Sequence, residues 1–171
     1  LTLRDMLKQF YEKALPSQGI YCVGAVINDR MKHHFAKTLD DAIKTIDELK
    51  DDGYDLFIAM GTFQGFSRKA DDCLFLRSFF VDLDVGDAKH PDKDTALAEL
   101  QRLLDETGLP EPVVTDSGGG IHAYWLFDRD IPRDEWKPYA DKFKALCMSH
   151  VHIDPAVSAD PARIMRCPNT Y

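Results

Sequence analysis

The sequence has 171 residues, enough for one domain with a buried core, and its 44% hydrophobic and 29% charged content is that of an ordinary globular chain. The 29 acidic residues outnumber the 21 basic ones, and the net charge of −8 argues against a protein that coats DNA through many basic phosphate contacts. The four cysteines are widely spaced, which disfavours zinc modules and a disulfide framework and favours a reduced, cytoplasmic setting.

Apolar periodicity divides the chain into alternating helices and strands, with two strands in succession near the end. Apolar residues at helical spacing after capping signals predict helices, and runs of β-branched and aromatic residues predict strands. The predicted helices are 2–14, 38–49, 96–104 and 133–149, and the predicted strands are 20–27, 54–63, 77–85, 113–117 and 121–127. The basic, histidine-containing segment 28–37 predicts a loop, and its polar side chains are candidates for contact with a nucleic-acid backbone. This order predicts a mixed α+β sheet.

The strand around Asp82 and Asp84 carries the most informative pattern. Residues two apart in a strand point to the same face, so Asp82 and Asp84 project together while Val81 and Leu83 pack into a core. Two neighbouring carboxylates repel each other unless they are solvated, protonated or bound to a cation. The pattern therefore indicates either a divalent-metal site or a strand end with two solvated acids, with similar weight.

A glycine-rich turn joins the last two predicted strands, at Ser117-Gly118-Gly119-Gly120-Ile121-His122. Glycines allow close approach of a ligand to the backbone, and successive amide N–H groups bind anions. Ser117 and His122 flank the turn, which favours phosphate binding over a glycine-rich hairpin with a buried histidine. Lys89, just beyond the two aspartates, is either a further phosphate contact or part of a solvated loop.

The C-terminal segment adds a third acid and two arginines. Asp154 is a candidate to complete a carboxylate triad with Asp82 and Asp84. Arg163 and Arg166 are candidates to face a polyphosphate, and the alternative for each is a surface ion pair. Three acids, a glycine-walled phosphate site and two arginines together indicate metal-assisted nucleotidyl transfer.

In their order and spacing, these motifs resemble the archaeo-eukaryotic primase superfamily, specifically the primase-polymerase domains of phage and plasmid replication proteins. The matching motifs are Phe80-Val81-Asp82-Leu83-Asp84-Val85-Gly86, Ser117-Gly118-Gly119-Gly120-Ile121-His122 and Ile153-Asp154-Pro155. The run from Asp160 to Thr170 is similar to the family's Arg-x-x-Arg-x-Pro-Gly-Thr element, with Asn169 in place of glycine.

The resemblance implies an RRM-like catalytic sheet flanked by helices, in about 77–171, joined to an N-terminal α/β unit in about 1–76. It implies that Asp82, Asp84 and Asp154 are catalytic and hold Mg²⁺ or Mn²⁺ in a two-metal site, without zinc. The implied nucleotide-binding residues are Ser117, Gly118, Gly119, His122, Arg163, Arg166 and Lys89.

The implied activity is that of a DNA primase and DNA polymerase in the replication of a phage or mobile element. The expected partners are a single-stranded DNA template, a primer strand and NTP or dNTP, with a helicase domain following in a longer protein from which this chain is excised. The expected location is the cytoplasm of a bacterial or phage-infected cell, with no membrane association.

Two alternatives compete with this interpretation. A rolling-circle nicking enzyme would place His150 and His152 on one strand face around a metal and would use Tyr171 as its nucleophile. A non-catalytic RRM-like nucleic-acid-binding module would stack bases on exposed aromatics such as Tyr124, but Trp125 and Phe127 share the strand face of Ile121 and are predicted to be core.

Overall fold

The computed structural model describes residues 1–87 and 89–170, and within them the chain forms four α-helices and eight β-strands. The helices are α1 (Leu3–Ala14), α2 (Leu39–Leu49), α3 (Lys93–Thr107) and α4 (Arg133–Met148). The strands are β1 (Tyr21–Ile27), β2 (Arg30–Ala36), β3 (Asp55–Ala59), β4 (Gly61–Phe63), β5 (Cys73–Asp84), β6 (Val113–Asp116), β7 (Gly120–Pro132) and β8 (Ile164–Arg166). Helices combined with antiparallel strand pairs confirm the predicted α+β class.

Two residues that bear on the sequence predictions lie outside the described ranges. Ala88 follows the aspartate strand and precedes Lys89, and Tyr171 is the nucleophile that the nicking alternative requires. Among the described helices, none combines the length and the apolar character needed to cross a lipid bilayer.

The chain divides into two compact units, each built from several segments. Unit 1 consists of Leu1–Arg77, Phe127–Arg133 and the described part of Pro161–Tyr171, and unit 2 consists of Ser78–Leu126, apart from Ala88, and Asp134–Asp160. Unit 1 therefore includes two later segments as well as the N-terminal part. The last of these segments carries β8, which pairs with β3.

Unit 1 contains a four-stranded sheet in the order β2-β1-β3-β8, and α2 packs against β1 and β2. The Thr2 and Asp5 capping box predicted for α1 is present in both directions, and the Thr38 side chain caps α2. Buried apolar side chains on α2, including Ile43 and Ile46, belong to the core of this unit.

The prediction of a loop at 28–37 is wrong, since these residues form a tight hairpin and strand β2. Asn28 and Asp29 have φ values of 52° and 60°, and β1 and β2 pair from Ile27 and Arg30 onward. Asn and Asp tolerate this left-handed conformation, which matches the twist of a two-residue hairpin turn. The polar composition of β2 reflects an exposed edge strand rather than a loop.

The single strand predicted at 54–63 is divided into β3 and β4, which belong to different sheets. Gly61 explains part of this division, because a Cβ there would lie 2.7 Å from the Cys73 sulfur and 2.9 Å from the Pro161 carbonyl oxygen. A glycine lets β4 approach β5 at this point, and periodicity along the chain does not reveal such a contact.

Unit 2 contains the core predicted for the aspartate strand. Val81 and Leu83 on β5 are fully buried in a cluster to which α3, α4 and β7 contribute. The Phe143 ring on α4 stacks on Phe79 at 4.7 Å and meets Trp125 edge-on at 5.0 Å. The burial of Trp125 confirms its predicted core position, so this β7 face is not a base-stacking surface.

Candidate metal centre

Strand β5 presents two aspartates on the face opposite its core residues. Val81 and Leu83 are fully buried, whereas the side chains of Asp82 and Asp84 retain 13% and 30% of their exposure. The alternation predicted from the sequence is therefore confirmed. The apolar face fixes the strand, and this fixes the direction in which both carboxylates project.

Asp154 reaches the same place from the segment that follows α4. Its backbone N–H donates to the carbonyl oxygen of Asp82 over 3.0 Å, and its Oδ1 accepts from the amide of Ala156 over 2.9 Å. As a result, Asp82, Asp84 and Asp154 each offer a carboxylate oxygen within 4.8 Å of the other two. The three predicted metal ligands thus lie together, and all are half-buried.

The donor set fits a hard divalent cation. Three carboxylates at this separation repel one another, and oxygen donors are those that Mg²⁺ and Mn²⁺ prefer. Oδ1 of Asp82 is buried and accepts no hydrogen bond from the part of the chain that the structure describes. A buried carboxylate oxygen without a donor is costly, and a cation beside it would remove that cost.

His122 lies on β7 beside the first of these acids and is 5% exposed. Its Nε2 is 3.4 Å from Oδ2 of Asp82, and its Nδ1 is 3.4 Å from the Tyr124 hydroxyl oxygen. Both separations are longer than a good hydrogen bond. The imidazole is therefore close to the carboxylate without being locked to it.

Lys89 forms the outer contact of the centre. Its Nζ donates to Oδ2 of Asp84 over 2.8 Å. This hydrogen bond, followed by the negative charges of Asp84, Asp82 and Asp154, raises the pKa of Lys89. The ammonium group pairs with the second aspartate, so it competes for the same carboxylate oxygen as a metal.

Replacing Lys89 with methionine is expected to tighten Mn²⁺ binding a few-fold, since Asp84 then loses its competing cation. The matched control is Lys93→Met, because Lys93 Nζ pairs over 2.8 Å with Asp116 and not with the triad. Calorimetric titration of each nucleotide-free protein with Mn²⁺ measures the change in affinity. Unchanged or weaker binding by the Lys89 variant alone would show that the ammonium group does not compete with the metal.

The glycine turn is shaped largely by its own backbone. The Ser117 amide donates to the Gly120 carbonyl oxygen over 3.0 Å, and the Gly118 amide donates to Asp116 Oδ1 over 2.7 Å. Gly118 has a φ of 86°, and a Cβ on Gly120 would collide with the carbonyl oxygen of Leu83. A Cβ on Gly119, in contrast, would meet nothing within 4 Å. A ligand can therefore approach the backbone closely at Gly119.

Arg163 and Arg166 belong to unit 1, whereas the triad, the glycine turn, His122 and Lys89 belong to unit 2. Arg166 pairs with Asp55 over 2.7 Å, and its guanidinium lies 5.5 Å from the centre of the Phe57 ring. Nε of Arg163 is buried without a hydrogen-bond partner among the described residues. Asn169 has a φ of 59°, so it adopts a backbone conformation that glycine, the family's usual residue here, also adopts readily.

The histidines of the nicking alternative do not form the expected strand pair. His150 lies in a turn after α4 and His152 in irregular backbone, and His150 Nδ1 contacts Glu106 at 2.5 Å. Among the described residues, the metal-compatible cluster is the aspartate triad, and neither histidine is part of it. The geometry therefore disfavours this alternative.

The chain combines two α+β units with an aspartate triad at the end of a central strand. This combination defines the class of fold with which the chain is compared. The chain has the fold of an archaeo-eukaryotic primase-polymerase domain: it matches the structure titled "Cyanophage S-2L Primase-Polymerase (PrimPol), AEP domain" with a TM-score of 0.67 and 20% sequence identity. The match covers 95% of this chain and 80% of the cyanophage chain. No protein-family profile and no curated protein matches the sequence.

Proposed function

We propose that this chain is a DNA primase-polymerase domain that transfers a nucleotide from NTP or dNTP to a 3′-hydroxyl under the direction of a template. The observation that carries the proposal is the meeting of Asp82, Asp84 and Asp154 within 4.8 Å. It is supported by the primase-polymerase fold of the chain. The proposed setting is DNA replication of a phage or mobile element, in the cytoplasm of the host cell.

The three aspartates would hold Mg²⁺ or Mn²⁺, in a two-metal arrangement. A divalent cation bound there would stabilise charge on the phosphate oxygens and lower the pKa of the attacking hydroxyl. Asp82 and Asp84 are oriented by the buried face of β5, and Asp154 is held by its backbone bond to Asp82. The ligands are therefore positioned by the core before any substrate binds, as catalysis by oriented charge requires.

The proposed nucleotide site includes Ser117, Gly118, Gly119, His122 and Lys89. Because Gly119 faces open space, a phosphate group can approach the backbone there without a steric conflict. Lys89 carries a positive charge at the edge of the triad and would exchange its bond to Asp84 for one to a phosphate oxygen. His122 would donate an N–H hydrogen bond to a phosphate oxygen while staying close to Asp82.

Arg163 and Arg166 are proposed to add positive charge for the triphosphate. Nε of Arg163 is buried and has no hydrogen-bond partner among the described residues. Arg166 is paired with Asp55, so its contribution requires this ion pair to open or to share its guanidinium.

The test is extension of a labelled primer on a single-stranded DNA template, together with an unprimed template, with NTP or dNTP and with Mg²⁺ or Mn²⁺. We expect products that depend on the template sequence and disappear when the metal is chelated. Products that ignore the template, or no products with any nucleotide and metal, would contradict the proposal.

A further inference from the structure

One face of the unit 1 sheet carries a row of aromatic and apolar side chains that are exposed, apart from the half-buried Phe35. Alternation along β2 places Met31, His33 and Phe35 on the same face. The ring of Phe66, from the loop after β4, lies 5.6 Å from that of Phe35, and the His33 ring lies 6.1 Å from it on the other side. Phe66 is 65% exposed, which is unusual for a ring of this size.

The surface of the sheet between these side chains is shallow, because Gly24 has no side chain. Gly24 on β1 lies between β2 and β3, and a Cβ there would contact the Met31 sulfur and the Phe57 Cβ at 3.5 Å and 3.7 Å. Phe57 is half-buried on the same face, whereas its neighbours Leu56 and Ile58 on the opposite face are fully buried. Flat ligands can therefore lie between rings that project from a shallow surface.

The region is also basic within an acidic protein. The stretch from Arg30 to Lys37 contains three cationic side chains, two histidines and no carboxylate, in a chain whose net charge is −8. Arg68 donates from Nε to His33 Nε2 over 3.2 Å and from a terminal nitrogen to the carbonyl oxygen of Ala162. Within residues 1–87 and 89–170, the side chains of Arg30, Lys32 and Arg68 form no ion pair with a carboxylate.

The electrostatic environment keeps the His33 ring uncharged at neutral pH. Burial and the neighbouring Arg68 and His34 charges lower the pKa of His33, so at neutral pH its ring is uncharged and accepts the Arg68 hydrogen bond. The guanidinium of Arg68 is thereby fixed beside the rings with its charge uncompensated.

We propose that the face formed by Met31, His33, Phe35, Phe66 and Arg68, the unit 1 stacking face, binds an unpaired strand of nucleic acid. Bases stack on the exposed rings, and phosphates pair with Arg68 and with the cations of β2 at the sheet edge. Exposed rings next to uncompensated cations fit a strand that offers both π-faces and negative charge, and they do not fit an apolar protein segment. The inference deepens the proposed function, since a template must be held unpaired, but its test needs neither metal nor nucleotide.

The experiment measures the anisotropy of a labelled oligothymidylate of roughly 20 nucleotides, in chelator and without nucleotide. Phe66→Ala is expected to weaken binding roughly five- to 150-fold, the loss typical of one stacked base. Phe66→Trp should retain binding. The matched control is Tyr139→Ala on α4, because Tyr139 is 61% exposed and lies under a lysine, Lys142, at 5.7 Å.

Lys32→Ala separates charge from stacking. It should lower the slope of log affinity against log salt by about 0.7, the change expected for one lost phosphate contact on a single strand. Blunt duplex DNA of the same length should compete poorly, because its bases are not available for stacking. Asp82→Asn should bind the strand like the unmodified protein, so a failed polymerase assay leaves this measurement intact.

Equal binding by Phe66→Ala and the unmodified protein would overturn the inference, even if the chain synthesises DNA. So would equal competition by duplex DNA. Sedimentation of the free proteins tests a second copy as the occupant, and a dimer that Phe66→Ala converts to monomer with unchanged oligonucleotide affinity would assign the face to self-association instead.

Discussion

Asp82→Asn is expected to reduce template-directed synthesis by about a hundredfold to ten-thousandfold, the loss that corresponds to several kcal/mol of charge stabilisation. The amide keeps the size of the carboxylate but removes its charge. Asp82 is central to the cluster because its carboxylate contacts His122 and its backbone carbonyl accepts the bond that holds Asp154. Primer extension with matched protein concentrations measures the effect.

The same variant has a signature in stability that does not depend on activity. Metal that binds the folded state at 100 times its dissociation constant stabilises it by about 2.7 kcal/mol, which corresponds to roughly 5–10 °C in Tm for a chain of this size. We expect Mn²⁺ to raise the Tm of the unmodified protein and not that of Asp82→Asn. In chelator the variant should be at least as stable, since it has one charge fewer among three mutually repelling carboxylates.

Asp105→Asn is the control for both measurements. Asp105 is an exposed carboxylate on α3 that accepts a hydrogen bond from Gln101 and lies outside the triad. It should behave like the unmodified protein. A normal product ladder together with a normal Mn²⁺ shift in the Asp82 variant would remove Asp82 from the metal centre.

Gly120→Ala and Gly119→Ala are expected to differ sharply although the glycines are adjacent. A Cβ on Gly120 would collide with the Leu83 carbonyl oxygen and lie 3.0 Å from the Cα of Asp84. Because both neighbours are backbone, relief requires β5 and β7 to separate, and we expect about 1–3 kcal/mol of destabilisation. The shift would also displace Asp84, so metal-dependent stabilisation should fall in parallel.

The Cβ added by Gly119→Ala would meet nothing within 4 Å, so the Tm of this variant should equal that of the unmodified protein. If phosphate approaches the backbone there, the added methyl group should raise the KM for nucleotide while leaving Mn²⁺ binding intact. Thermal denaturation and steady-state kinetics on the two variants separate structure from binding. An unchanged KM for Gly119→Ala would remove this residue from the nucleotide site, and an unchanged Tm for Gly120→Ala would contradict the described packing of β5 and β7.

The local features of the site were predictable. Alternation along β5 placed Asp82 and Asp84 on one face, and helical spacing with capping residues located α1 and α2. These features depend on residues a few positions apart, whose geometry follows directly from the repeat of a strand or helix. The proximity of Asp154 was predictable only as a hypothesis, since its position depends on where the segment after α4 returns to β5.

The unit 1 stacking face shows why composition alone did not predict where the exposed aromatic surface lies. The basic segment 28–37 has the polarity of a loop, and the nucleic-acid alternative was sought in the aromatics of β7, where Tyr124 and Trp125 are buried. The face instead carries the half-buried ring of Phe35 and the exposed ring of Phe66, which are distant in sequence and meet only because β2 and the loop after β4 are adjacent in the fold. Burial of an aromatic residue is set by what packs over it, and not by its own hydrophobicity.

The amino-acid order alone established the α+β class, the two β5 aspartates and the glycine turn, because each follows from short-range backbone periodicity or from the absence of a Cβ. Three-dimensional packing determined that β3 and β4 join different sheets, that β8 completes the unit 1 sheet, and that Arg163 and Arg166 fall in a different unit from the triad. Such pairings connect residues far apart in the chain, and they are selected by backbone hydrogen bonds and close contacts, such as those at Gly61 and Gly120, that no local pattern encodes.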